Sequence, residues 1–234
     1  MRLPVAALCV LGALAGSPAR AAATSCGETV RLSVDPATRV DDVAATLRRR
    51  LAAAGEKQPS VEREGPAALR AVLPAGASDA LLTRPAKIEF RLVAKSAGEP
   101  GVETFPRLDG KGTEPVEAHV LLDEQRLREL KVKQEPNPAG GPAIVALAFH
   151  IEPQGVNNLL AGTVGAVGRK LAILVDDRIV AEPVLRGPVA SLTGEISGGF
   201  TLASANELVA LIANGRLRGH VTILGRKPAS CVTQ

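Results

Sequence analysis

The order of amphipathic segments constrains the fold of this chain more than any other feature of its sequence. Glu28–Val34 alternates polar and apolar residues, which predicts a half-buried β-strand. Val40–Ala54 carries apolar residues at helical spacing, which predicts an amphipathic helix that stops at Gly55. Strands are also predicted at 60–64, 68–73 and 220–224, with a helix capped by Thr201 before the last of them. This order predicts an α+β protein with a ferredoxin-like βαββαβ base subdomain, into which an α+β head subdomain is inserted.

The middle of the chain divides into a boundary and the inserted unit. A strand is predicted at Lys87–Val93, and the glycine- and proline-rich stretch 95–116 indicates a linker or a long surface loop. Farther on, the pattern predicts a strand at Ala143–Ile151, a helix at Gly155–Gly168 and a hairpin that turns at Asp176-Asp177. The predicted division is signal peptide 1–21, first part of the base 22–94, linker 95–116, head subdomain 117–200, and closing helix and strand 201–234.

The amino-terminal residues have the pattern of a cleavable secretory signal peptide. Met1-Arg2 supplies the positive start, Leu3–Gly16 is apolar, and Ser17–Ala21 ends in a small-x-small cleavage site. Because the apolar run is shorter than the roughly 20 residues that span a bilayer, we prefer cleavage near Ala21 to retention as a membrane anchor. We expect a soluble mature chain without a membrane span, either periplasmic or secreted.

The cysteines suggest one covalent link. Cleavage would remove Cys9 and leave Cys26 and Cys231, which are candidates for a disulfide in an oxidising compartment. The alternative is two unpaired thiols. The predicted fold favours the bridge, because a ferredoxin-like base places its first and last strands side by side and antiparallel.

Composition argues against several classes of function. Without the two arginines of residues 1–21, 26 basic and 24 acidic residues leave a formal charge of +2. The chain has no Trp or Tyr and four Phe, which argues against binding of carbohydrate or nucleic acid on aromatic platforms. The histidines, His119, His150 and His220, lack a second ligand at metal-binding spacing, so neither a metal nor a cofactor is expected.

Four short segments have a functional and a structural interpretation, and the structural one is favoured in each. Arg48–Arg50 is interpreted as a solvated helix face rather than an anion site. Asp41-Asp42 and Asp176-Asp177 are interpreted as a helix start and a solvated turn rather than acid–base pairs. Gly162–Gly168 is interpreted as close helix packing, because no GK[ST] of a phosphate loop follows. We therefore expect no enzyme; a site assembled from distant residues is the least favoured alternative.

The carboxy-terminal part carries a series of motifs. G-R-K-L-A-I-L-V-D-D-R-I-V-A-E-P starts at Gly168, I-S-G-G-F-T starts at Ile196, and a helix containing A-N-E-L ends at Asn214-Gly215. This series resembles the first periplasmic domain of the SecD and SecDF protein-export membrane proteins. Arg50 with Gly55, and I-E-F-R at Ile88–Arg91, are similar to upstream elements of the same family. The motif positions, interpreted as structural, are Gly168, Asp176, Pro183, Ser197, Gly198, Phe200 and Gly215.

The resemblance implies a base and a head subdomain that meet polypeptides during export. The chain departs from the family pattern at the hairpin turn, which is Asp-Asp instead of Asp-Gly, and at Arg218, where the family has proline. The family's transmembrane helices have no counterpart in the sequence, which favours a stand-alone exported module. We therefore predict a non-catalytic module that binds translocating or unfolded polypeptide or docks on Sec membrane components, without nucleic acid. The alternative is a structural envelope protein that keeps the fold without a role in translocation.

Overall fold

The computed structural model describes residues 27–229, so the predicted signal peptide and both Cys26 and Cys231 lie outside the described residues. The described chain has a mixed α/β structure. Its helices are α1 (Val40–Ala53), α2 (Ala80–Thr83), α3 (Pro153–Thr163) and α4 (Leu202–Ala213), with short 3-10 turns at Ala37–Arg39 and Glu124–Arg126. Its strands are β1 (Glu28–Asp35), β2 (Val61–Arg63), β3 (Ala68–Leu73), β4 (Ile88–Leu92), β5 (Val102–Pro106), β6 (Thr113–Glu117), β7 (Leu122–Asp123), β8 (Leu127–Glu135), β9 (Ile144–Ile151), β10 (Leu171–Val175), β11 (Arg178–Ala181), β12 (Thr193–Ser197) and β13 (His220–Pro228).

The first sheet joins the two ends of the described chain. Its strands take the order β13-β1-β3-β2, and every pair is antiparallel. Alternation along β1 places Val30, Leu32 and Val34 on one face, where they pack with Leu47 and Leu51 of α1. Because β1 pairs with β13 along its whole length, the prediction that the first and last strands are antiparallel neighbours is confirmed.

The second sheet is buried on both faces along its two middle strands. Its order is β11-β10-β4-β7, and every residue of β4 and β10 is buried. β4 pairs with β10 and β7, so the structure places Ile88–Leu92 in this sheet and not beside the other strands of the segment 22–94. One face of β4 carries Ile88 and Phe90, while the opposite face carries the charged Glu89 and Arg91.

A third sheet and two helices complete the larger core. The sheet has the order β12-β9-β8, and α4 packs on β8 and β9. Leu147 and Phe149 of β9, Ile196 of β12 and Leu208 of α4 meet the apolar face of β4 in one buried cluster. The ring of Phe149 meets Phe90 edge-on, with the ring centroids 6.0 Å apart.

The surface loop predicted for 95–116 is instead largely a β-hairpin. β5 pairs with β6, and Phe105 and Val116 pack against Ala172, Leu174 and Ile179 on the back of the second sheet. The glycines that suggested a loop lie outside the two strands, at Gly98, Gly101, Gly110 and Gly112, all with positive φ. Apolar residues between these turns gain enough contact with the sheet to order the segment.

The two main apolar clusters are joined by two chain crossings. The first core, around β1 and α1, includes Leu82 before the outward crossing and Leu217 after the return. The second core, around β4 and β9, begins with Ala86 and ends with Leu211. The outward crossing therefore lies between residues 82 and 86, and the return crossing lies between 211 and 217.

Several local predictions are confirmed. Asp176 and Asp177 form the two-residue turn between β10 and β11, and their φ values of 49° and 62° fit a type I′ turn. Thr201 caps α4, because its hydroxyl accepts a hydrogen bond from the backbone N–H of Ser204 at 3.1 Å. The helix predicted at Gly155–Gly168 is shorter, since α3 ends at Thr163.

Candidate functional site

A surface groove runs along the outer edge of β11. β11 is the terminal strand of the second sheet, so one side of its backbone faces away from β10. Two open cavities, of about 350 Å³ and about 510 Å³, lie beside it and share Leu108, Val180 and Gly199. Because they share these residues, we treat them as one continuous surface and call it the β11 groove.

Gly198 sets how closely one wall of the groove approaches β11. It directly follows β12, and a methyl group at this position would overlap the carbonyl oxygen of Val180. Only glycine allows the end of β12 to pass this close to the β11 backbone. Gly199 then turns the chain with a φ of 63°, and Phe200 follows as a lining residue.

The opposite wall comes from the turn of the β5–β6 hairpin. Leu108 donates its backbone N–H to the carbonyl of Ile179 at 2.8 Å, and Arg107 forms a parallel bridge with Ile179. The Leu108 residue keeps 40% of its surface exposed. Together with Val180 and Phe200 it gives the middle of the groove an apolar surface, which favours contact with apolar side chains.

One end of the groove is charged and partly buried. Glu182 shares one carboxylate oxygen, Oε2, between Arg107 at 2.8 Å and Lys170 at 3.5 Å. Arg107 also contacts Glu114 at 3.2 Å, and hydrogen bonding to Glu114 raises the pKa of the Arg107 guanidinium. The Glu182 side chain is 8% exposed, and its Oε1 has no hydrogen-bond partner among residues 27–229.

The other end contains an ion-paired turn. Asp176 accepts hydrogen bonds from Arg84 Nε at 2.6 Å and from the backbone N–H of Lys87 at 2.8 Å. Arg84 also contacts Glu207 of α4 at 3.1 Å. The Asp176 side chain is 18% exposed and the Asp177 side chain is 55% exposed. The prediction that both turn aspartates are solvated is therefore wrong for Asp176 and holds for Asp177. Asp176 is drawn inward because it satisfies a backbone donor and a guanidinium at the outward crossing.

Arg50 lies beside this end and contradicts the prediction of a solvated arginine face. It is 1% exposed, and its guanidinium donates to the carbonyls of Arg84 at 2.6 Å, Pro85 at 3.1 Å and Gly215 at 2.9 Å. Burial lowers the pKa of Arg50 to about 10, so it stays charged at neutral pH. Arg50 thereby ties α1 to both crossings.

The predicted motif residues divide into two groups. Asp176, Gly198 and Phe200 lie in the β11 groove. The other four lie elsewhere. Three of them form backbone hydrogen bonds: Gly168 donates its N–H to the carbonyl of Leu185, the Pro183 carbonyl accepts from the N–H of Leu171, and the Gly215 carbonyl accepts from the guanidinium of Arg50. The fourth, Ser197, ends β12 at the surface.

Sequence reasoning missed Arg84, Leu108 and Glu182 as groove residues and Arg50 as a buried group. For Arg50 a signal exists, because Val43, Leu47 and Arg50 follow the i, i+4, i+7 spacing of an apolar helix face. Leu108 and Glu182 have no comparable signal, because their place in the groove depends on the tertiary position of the hairpin.

Within residues 27–229, no three His, Cys, Asp or Glu side chains are grouped closely enough to hold a metal ion. In the same part of the chain, no helix has both the length and the apolar character needed to cross a bilayer.

The fold has counterparts among solved structures. One solved structure is described as a membrane component SecDF that enhances protein export. It matches with a TM-score of 0.62, and the match covers 84% of this chain and 98% of that one. The other is SecDF in a super-membrane-facing form, with a TM-score of 0.65 over 86% of this chain and 30% of that one. Both are 18% identical in sequence, so they show a shared fold.

Sequence comparison then identifies the family. The model of the SecDF P1 head subdomain matches residues 102–218, which is half of the chain. The chain belongs to the SecDF P1 head subdomain family. Among curated relatives, protein translocase subunit SecD of Acetobacter pasteurianus is 28% identical over 77% of this chain, and that of Rickettsia bellii is 29% identical over 79%. The chain spans 36% and 37% of the length of these two relatives.

Proposed function

We propose that this chain is a periplasmic module of protein translocation that binds extended or unfolded polypeptide in the β11 groove without catalysing a reaction. Its relatives are protein translocase subunits, and it corresponds to about a third of their length. A module of this kind would be exported by its amino-terminal signal and would act beside Sec membrane components.

The observation that carries the proposal is the apolar surface held against the edge of β11. Leu108, Val180 and Phe200 line the middle of the groove, and ion pairs around Glu182 and Asp176 mark its ends. An extended chain can bind to such a surface through its apolar side chains. The Ile179 carbonyl on the β11 edge already accepts the N–H of Leu108, which leaves less of that backbone for strand addition.

The edge of β8, a longer strand that ends the third sheet, is less suited to this role. β8 ends the third sheet, but its register shifts between Arg128 and Lys131, and Lys131 and Lys133 project from the exposed strand. Bulges and lysines are features that protect strand edges from pairing with other chains. This contrast favours the β11 groove over the edge of β8 as the polypeptide site.

The proposed architecture is a ferredoxin-like base with an inserted head. The strand order β13-β1-β3-β2 supports the base, although α4, the second helix of the predicted βαββαβ pattern, packs on the third sheet. Because β4 pairs with β10, we place the end of the first base segment at the outward crossing near Arg84 and not at residue 94. The linker 95–116 would then belong to the head.

Site-specific photo-crosslinking tests the polypeptide site. A photoreactive amino acid replaces Leu108 in the groove or, as a matched control, Leu224 of β13, which is 58% exposed and lies outside the groove. With a chemically unfolded probe protein, we expect several-fold more crosslinking at position 108, and competition by unlabelled unfolded protein but not by its folded form.

Equal labelling at positions 108 and 224, or labelling insensitive to the competitor, would contradict a polypeptide site. A purified chain that forms stable envelope complexes without affinity for unfolded protein would instead favour the structural alternative.

A further inference from the structure

A second cleft, separate from the β11 groove, lies where the first core meets the second. Its volume is about 360 Å³. One side is α1, including Thr46 and Arg49, and the other side is the 3-10 turn with Glu124 and Gln125. The return crossing closes it with Gly215 and Arg216, and Arg218 follows just after the crossing.

Arginines outnumber carboxylates in this cleft, and each carboxylate already forms an ion pair with an arginine. Glu124 accepts from Arg216 at 3.3 Å and from the backbone N–H of Ile88 at 3.2 Å. Asp42 accepts from Arg39 at 3.2 Å. Burial also raises the pKa of Glu124.

Two of the guanidinium groups have no acidic partner within the described part of the chain. Arg49 and Arg218 form no ion pair with any carboxylate of residues 27–229. Arg218 has one long contact, from Nη2 to Gln125 Oε1 at 3.4 Å, and its remaining donors are available. An arginine that faces a cleft without a carboxylate is a potential ligand for an anion.

Arg49 is held in place by neutral acceptors. Its Nε donates to the carbonyl of Asn214 at 3.1 Å, and its Nη2 donates to the hydroxyl of Thr46 at 3.0 Å. Gly215 lets the guanidinium approach, because an added methyl there would come within 2.9 Å of Nη2. These contacts fix the plane of the guanidinium and leave Nη1 free, so little conformational entropy is lost on binding.

We propose that this cleft binds a phosphate-like oxyanion between Arg49 and Arg218. Guanidinium groups suit this ligand because they donate paired hydrogen bonds to two oxygens of a phosphate. The anion would contact α1 of the first core and Arg218 just after the return crossing, and Gln125 of the second core lies beside them. The phosphate group could belong to free phosphate or to an anionic phospholipid headgroup, and both sources present the same chemistry.

Binding is tested with the full chain and inorganic phosphate, by calorimetric titration and by the shift in thermal unfolding relative to chloride at equal ionic strength. We expect saturable binding that weakens at least about tenfold in Arg49→Gln and in Arg218→Gln. Arg186→Gln is the matched control, because Arg186 is exposed, lies outside the cleft and forms no ion pair within residues 27–229. Arg218→Gln alone carries the test if circular dichroism shows that Arg49→Gln is misfolded.

Vesicles distinguish the two sources of the anion. If the site binds a lipid headgroup, the chain floats with phosphatidylglycerol vesicles but not with phosphatidylcholine vesicles. This flotation is then lost in Arg218→Gln and retained in Arg186→Gln. Phosphate binding without flotation assigns the site to a free oxyanion. Absence of both, or equal weakening in Arg186→Gln, overturns the proposal and leaves the polypeptide groove unaffected.

Discussion

Arg50 shows how one buried charge can join two parts of a fold. A guanidinium taken out of water is costly unless its donors are satisfied. Arg50 meets this requirement because its guanidinium donates to backbone carbonyls at both crossings. These are the carbonyls of Arg84 and Pro85 at the outward crossing and of Gly215 at the return crossing. These carbonyls face one another across the two crossings, so the side chain satisfies acceptors that would otherwise be buried without a donor.

Arg50→Ala should therefore destabilise the chain strongly. Removing the side chain leaves several buried carbonyls without donors, and each unsatisfied group costs about 1–3 kcal/mol. We expect a loss of about 3 kcal/mol or more in the free energy of unfolding, measured by urea denaturation with circular dichroism. Arg50→Lys should fall between Ala and wild type, because an ammonium cannot match the planar fork.

Arg49→Gln on the same helix is the control for this effect. Arg49 is exposed, so its replacement should change the free energy of unfolding by less than about 1 kcal/mol. Arg50→Ala with a stability equal to that of Arg49→Gln would show that the buried hydrogen bonds of Arg50 do not contribute net stability.

At the scale of elements, the approach of β12 to β11 depends on a missing side chain. A Cβ at position 198 would overlap the Val180 carbonyl, which is backbone and cannot rotate away. Gly198→Ala should cost about 1–3 kcal/mol through this overlap, and it should reduce crosslinking at position 108 by widening the groove. Thermal unfolding and the crosslinking assay measure the two effects.

Gly187→Ala is the matched control for Gly198→Ala. An added methyl at position 187 meets no atom within 4 Å, and its φ lies outside the left-handed region. We expect it to be neutral or slightly stabilising, since alanine restricts the unfolded chain more than glycine. Equal stability and equal crosslinking of the two variants would show that the contact between Gly198 and Val180 is not restrictive.

The elements that the sequence predicts well are those decided by neighbouring residues. Alternation in β1, the Thr201 cap of α4 and the Asp176-Asp177 turn each depend on a few consecutive positions, and each is found in the structure. The pairing of β1 with β13 was predictable because the order of elements implies it.

The elements that sequence reasoning missed depend on tertiary contacts. No strand was predicted at Leu127–Glu135, because the register shift between Arg128 and Lys131 breaks the alternation that marks a strand. The β5–β6 hairpin is ordered by packing on the second sheet, and this contact leaves no local pattern. In the groove, the motif positions Gly198 and Phe200 were named from the sequence, while Leu108 and Glu182 required the fold.

At the scale of the whole molecule, polar groups hold the two cores together at the crossings. Arg50 connects the first core to both crossings, and Leu217 donates its N–H to the carbonyl of Pro85 at 3.1 Å, which links the crossings directly. Glu124 makes the corresponding link from the second core, because it joins Ile88 of β4 to Arg216 of the return crossing. Charged links of this kind make the joint between the cores sensitive to pH.

Glu124 gives this sensitivity a definite sign. Burial raises its pKa above the ordinary value that it has in the unfolded chain, so the folded state disfavours the ionised carboxylate. The resulting loss of stability is present in full above the raised pKa, and it is relieved as the pH falls through that pKa towards the ordinary value. Glu124→Gln removes the ionisation, so the stability of the variant relative to wild type should increase as the pH rises from about 4 to about 8.

Urea denaturation across that pH range measures the difference. Glu135→Gln is the matched control for replacing a carboxylate at the surface, since Glu135 is exposed and forms no ion pair within residues 27–229. A stability of Glu124→Gln that falls relative to wild type as the pH rises would mean that the contact with Arg216 outweighs the cost of burying the carboxylate. In that case the ionised pair would hold the joint more tightly at neutral pH, which is the opposite of the expectation from burial.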